Sequence, residues 1–211
     1  MKILIAIVIV IAVLFIAALL STRNKKRAAG KLFESFTNAI VEAADEGERA
    51  YRAQIESLSL STGRLIDPSI RGIALARLLC ASFPAAAFAG ASAGSSPQSL
   101  VNRFAPYQAS QVFQLASGAA LKPMKISRDH PLYDQIKSDT DEAIKAFFGY
   151  FNGGFKLDPI SDLVEAELQL APQWRKALEL SAGPVRDQNY TKQFCTSGLD
   201  IFFVWFRALS K

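Results

Sequence analysis

Residues 3–20 read ILIAIVIVIAVLFIAALL, an unbroken row of apolar side chains without one charge. As a helix rising about 1.5 Å per residue, the row covers about 27 Å. That is close to the hydrocarbon thickness of a bilayer, about 30 Å. Inside lipid every backbone polar group needs a partner within the segment, and a helix supplies one. The many Ile and Val residues therefore do not count against a helix here. Ser21 and Thr22 can carry it into the headgroups, so the sequence predicts a transmembrane anchor over residues 1–22. A cleaved signal peptide fits less well. It needs a basic n-region, a shorter apolar stretch and a small-x-small cleavage site. Here only Lys2 precedes the row, and Leu19 and Leu20 close it.

Residues 23–31 form a basic juxtamembrane linker with Arg23, Lys25, Lys26 and Arg27 at its start and Lys31 at its end. Basic residues concentrate on the cytoplasmic side of a span, so a single-pass protein with a cytoplasmic body is expected. This linker also explains the net charge of +5. Residues 1–31 hold six basic side chains and no acidic one, and the other 180 residues carry 18 basic and 19 acidic, a net of −1. A nucleic-acid module needs a basic stripe or patch, and the body has none. The bilayer is the expected partner of the cluster, which sets topology and can meet anionic headgroups.

The remaining residues, 32–211, suit one globular domain. Sustained strand alternation is missing, so no Asn-Gly or Asp-Gly joins two strands as a hairpin turn, and helix signals recur. The expectation is an all-α fold: one N-terminal transmembrane helix followed by a bundle of about five to seven helices. In residues 31–59, Leu32, Phe36, Ile40, Ala43, Gly47, Tyr51, Ile55 and Leu58 recur at three or four residues and define one face. Asp45 with Arg49 and Glu48 with Arg52 are favourable i,i+4 pairs on the other. Asp67-Pro68, Ser96-Pro97, His130-Pro131 and Asp158-Pro159 each place a proline at a first helical position behind a polar residue. They predict helices near 68–82, 97–117, 131–151 and 159–170, with Gly153-Gly154 ending the third. A short helix near 173–180 and a last one over 186–209 complete the series. Residues 78–102 carry no charge and contain the Gly90/Gly94 spacing of close helix pairs. Pro84 should end the helix there, leaving a small-residue loop.

Local chemistry is sparse. Cys80 and Cys195 stand alone in apolar surroundings and read as core thiols. His130 is the single histidine, which excludes multi-histidine metal sites. Asp139, Asp141 and Glu142 lack the glycine and distal glutamate of a calcium loop; Asp141 stands four residues from Lys137 and Lys145, so the group reads as a solvated helix face. Glu165 and Glu167 point in different directions from their helix and make no acid–base pair. No P-loop, G-x-G-x-x-G or G-x-S-x-G occurs, and no catalytic, cofactor-binding or metal residue is assigned. In the last helix Leu199 to Leu209 is apolar on every side, the pattern of a central bundle helix. Phe202, Phe203, Trp205 and Phe206 are its candidate partner or lipid contacts, and the Phe147–Phe151 aromatic block is expected to pack against it.

Taken together, the sequence points to a membrane-anchored helical interaction or scaffold domain without enzymatic activity or cofactor. Its partners would be the bilayer and a protein at the membrane, with no nucleic acid. The alternatives are a membrane-tethered enzyme or lipid-binding domain acting on a hydrophobic substrate, and an exported helical domain.

Overall fold

A computed structural model of the chain describes residues 38–92, 128–152, 159–186 and 189–209. The anchor over 1–22, the linker with Arg23, Lys25, Lys26 and Arg27, the helix expected over 97–117 and the Gly153-Gly154 stop lie outside those residues. The described residues form five helices and no strand. They are α1 over 38–62, α2 Ile70–Ser92, α3 Tyr133–Asn152, α4 Pro159–Ala182 and α5 Tyr190–Leu209.

Each terminus follows from its residues. α1 closes on Gly63, whose φ of 64° suits only a residue without Cβ. The Arg64 N–H then donates to the Ser59 carbonyl, a Schellman closure. Ser69 caps α2 by accepting the Gly72 N–H at 2.9 Å, so that helix starts two residues beyond Pro68. α3 likewise begins at Tyr133, after a turn in which Tyr133 N–H bonds the His130 carbonyl. α4 does begin at its proline, Pro159, and ends at Gly183, φ 72°, whose N–H bonds the Glu179 carbonyl.

Pro84, expected to stop a helix, does not, and neither does Pro172. α2 runs through Pro84 to Ser92, and α4 runs through Pro172, so the helices expected at 159–170 and 173–180 are one. A proline inside a helix withdraws one N–H from the carbonyl four residues before it. For Pro172 that carbonyl belongs to Leu168, which lies on the outer surface at 66% exposure, where solvent can satisfy it.

α2 is the central element. Ile73 through Phe83 are all buried, and the helix packs against α3, α4 and α5. Burial on every side is thus seen in α2; for the 199–209 segment, where it was expected, the side chains beyond Asp200 lie outside the described residues. α5 buries Phe194, Cys195 and Leu199 and exposes Thr196 and Asp200. α1 lays its expected face on the core: Ile40, Ala43, Tyr51, Ile55 and Leu58 are buried. Gly47 lets it close on α2, because a Cβ there would stand 2.8 Å from Cys80 Cβ.

An aromatic chain links the helices. Trp174 of α4 stacks on Phe194 of α5 at 4.1 Å and meets Tyr51 of α1 edge-on at 6.4 Å. Phe83 of α2 meets both Phe194 and Phe147 of α3 edge-on, at 6.3 and 6.1 Å. Phe147 therefore reaches α5 through Phe83. Such offset and edge contacts add about 0.5–1.5 kcal/mol each beyond burial.

Candidate functional site

The polar side chains inside the bundle are used to join helices. Gln54 accepts the Trp174 indole N–H at 2.9 Å and donates to the Tyr190 carbonyl at 3.3 Å. The indole nitrogen can only donate, which fixes the amide orientation. Ser181 Oγ accepts the Ser69 N–H and shares a hydrogen bond with the Tyr51 hydroxyl, both at 2.6 Å. Asp139, expected on a solvated face, is buried instead. Arg71 of α2 grips it with two bonds of 2.9 Å, and Lys176 of α4 approaches at 2.9 Å while also meeting Glu142 at 2.7 Å. Asp141 and Glu142, with Lys137 and Lys145, are exposed as expected. Burial alone disfavours the charged form of Lys176, but the bonds to Glu142 and Asp139 outweigh it and raise its pKa.

Asp45 also departs from its expected pairing. It meets Arg77 of α2 at 2.6 Å, and Arg49 pairs with Glu46. Glu48 does pair with Arg52, at 2.9 Å, and takes a second bond from Arg77 at 2.6 Å. Burial works against its ionised form, yet these two arginines prevail and lower its pKa. Arg77 is 3% exposed and its Nε has no partner.

Asp45 and Glu48, with Arg49 and Arg52, line an open hollow of about 740 Å³ along α1, where the carboxylates are already paired with arginines. His130 accepts the Leu132 N–H on Nδ1 at 3.1 Å and so serves its own turn. Cys80 and Cys195 are buried and unpaired. Burial pushes both thiols up to about 12, with Glu46 adding to it at Cys80 and Glu167 at Cys195. Thiols held protonated in this way are poor nucleophiles. Among the described residues no group of three or more His, Cys, Asp or Glu is placed to hold a metal ion.

The surface is more informative than the interior. On α4, Ile160, Val164 and Leu168 are 75, 53 and 66% exposed. Spaced by four, they form one outward row. Val164 and Leu168 continue into a groove of about 450 Å³ with Ala171, Pro172, Glu167 and Arg175. On the far side of Glu167 and Arg175 a second cleft of about 300 Å³ reaches Arg186 and the start of α5 at Tyr190. A separate apolar groove of about 500 Å³ lies at the turn after α1, where Leu60 and Leu65 are 79 and 92% exposed. Scattered apolar side chains are ordinary on a protein surface; a row of three on one helix face is the arrangement used for contact.

Of the residues singled out from sequence, the basic cluster lies outside the described residues. The backbone of Phe202, Phe203, Trp205 and Phe206 is in α5, and their side chains lie outside what is described. The α4 row was not anticipated, although its spacing of four is plain in DPISDLVEAELQL. That segment reads first as a helix start, and only burial on the opposite face, at Ala166, Leu170 and Trp174, shows which apolar residues are left outside. No helix among the described residues is long and apolar enough to cross a membrane. No protein-family model, curated protein or solved structure matches this chain.

Proposed function

We propose that this chain is a membrane-tethered interaction module: residues 3–20 hold it in a bilayer, and the helical domain offers α4 to a protein partner. The single observation carrying the interaction role is the outward apolar pair Val164 and Leu168, opening into a groove while Ala166, Leu170 and Trp174 of the same helix are buried. A helix that fills its core face and keeps a second apolar face exposed gains from a partner that removes about 25 cal/mol per Å² of apolar surface from water. The tether is supported by the length of the apolar row and the basic cluster Arg23, Lys25, Lys26 and Arg27. It confines the module to two dimensions and so raises its effective concentration for partners on the same membrane. By the basic bias, the body faces the cytoplasm.

The test is crosslinking in the native membrane. A photoreactive residue at Leu168 is expected to yield a discrete adduct, and one at exposed Thr196 or Asp200 none. Absence of a Leu168 adduct, or release of the chain by alkaline carbonate washing, overturns the reading.

A further inference from the structure

We infer that the partner of the α4 face is a helix with apolar side chains along its contact line and Lys or Arg on both flanks of that line. This rests on the interaction reading above and names the partner's chemistry.

Three observations converge on it. The first is shape. Val164 and Leu168 stand one turn apart above a groove floored by Ala171 and Pro172. A shallow groove beside a small residue and a proline takes the side chains of a second helix laid along it, in the i, i+3, i+4 manner of helix-in-groove recognition.

The second is charge. Residues 159–174 contain Asp162, Glu165 and Glu167 and not one Lys or Arg. At about 100° per residue, Glu167 falls on one side of the Val164–Leu168 line and Glu165 on the other. Both are partly exposed, and Glu165 already accepts a bond from Gln169 at 3.3 Å. The apolar line thus has Glu165 on one edge and Glu167 on the other, the second sharing its cleft with Arg175 and Arg186. Complementary charge on a rim fixes register and excludes wrong partners, and an anionic lipid surface would be repelled by it.

The third is an acceptor. Pro172 has no N–H to offer the Leu168 carbonyl, and both residues line the groove. Lysine and arginine side chains only donate, so a cationic flank suits this oxygen and both carboxylates. Arg175 at the C-terminal end of the groove gives the face a polarity. It sets the direction of the partner helix, whose basic flanks lie over Glu165 and Glu167 and whose end beyond them is acidic or neutral.

The measurement uses the full chain in discs of zwitterionic lipid and two fluorescent synthetic helices. They share one leucine line and differ in flanks, lysine in one and glutamate in the other. The lysine-flanked helix is expected to bind at least about tenfold tighter, with affinity falling as salt rises. Leu168→Glu removes binding of either helix. The decisive variant is Glu165→Lys with Glu167→Lys: both sites are on the surface, so the domain stays folded, and the preference inverts toward glutamate flanks. Equal binding of the two helices, or a preference that survives the charge reversal, overturns the inference. So does a chain that self-associates through this face, with Leu168→Glu dispersing it in sedimentation, or a face covered by the chain's own residues, with neither helix binding. If the flanks prove irrelevant while the Leu168 crosslink persists in the native membrane, the partner's chemistry is wrong and the interaction role stands.

Discussion

Arg77 shows how a single residue can be tied down at both ends and still be dispensable. Its guanidinium is buried and bonded to Asp45 and Glu48, but those carboxylates are 54 and 25% exposed, so both can still meet water when the arginine is gone. Its Nε remains without a partner. Removing the buried charge therefore strands nothing in the core, whereas removing the carboxylates strands a cation. Arg77→Met is expected to change stability by no more than about 1 kcal/mol. The double change Asp45→Ala, Glu48→Ala is expected to cost about 2–3 kcal/mol. Urea midpoints at constant m-value separate the two outcomes; a costly Arg77→Met would show that the ion pair itself holds α1 to α2. Sequence reasoning could not find this pair. Asp45 has an ideal local partner in Arg49, four residues on, and only the close approach permitted at Gly47 puts Arg77 nearer. Asp139 escaped for the same reason: its neighbours Asp141 and Glu142 are solvated, and what draws it inward are Arg71 and Lys176 on other helices.

At the scale of the element, the faces were legible and the boundaries less so. The 3.6-residue rhythm from Ile40 to Leu58 marked the buried side of α1, because burial of a stripe repeats with the helix. Proline marked helix starts only to within two residues, since Ser69 and Leu132, not the residues before Pro68 and Pro131, begin the hydrogen-bonded turns. Inside helices it misled, because α2 and α4 continue through Pro84 and Pro172 despite the loss of one bond each. The ends of α1 and α4, by contrast, each close on a glycine. A Cβ at Gly63 or Gly183 meets nothing within 4 Å, so alanine there is penalised only for its left-handed backbone. Gly63→Ala and Gly183→Ala should each lower stability by about 1 kcal/mol. Thermal unfolding followed by circular dichroism measures both. A larger loss would mean that these turns also pack against something.

The molecule as a whole stores its pH sensitivity in groups on different helices. Cys80 on α2 and Cys195 on α5 have folded pKa values of about 12 against 9.0 for a free thiol. Between those values the unfolded chain has released protons that the folded chain retains. The unfolded state then binds fewer protons, so stability falls with rising pH by up to about 1.4 kcal/mol per pH unit for each thiol. Lys176, raised above 10.5, has the same sign and joins later, its clasp on Asp139 and Glu142 weakening as it finally loses its proton. Glu48 acts at the other end: lowered below 4.5, it gives stability that disappears as pH drops beneath that value. The bundle should therefore lose stability on the alkaline side from about pH 9, before Lys176 gives up its proton. Cys195→Ala should flatten the first part of that limb by about one thiol's share of the slope. It should also abolish half of the thiol titre that appears only on unfolding in a disulfide-exchange assay. A limb of unchanged slope would mean that the Cys195 thiol lies within reach of water, and that α5 is less completely enclosed there than the burial of Phe194, Cys195 and Leu199 requires.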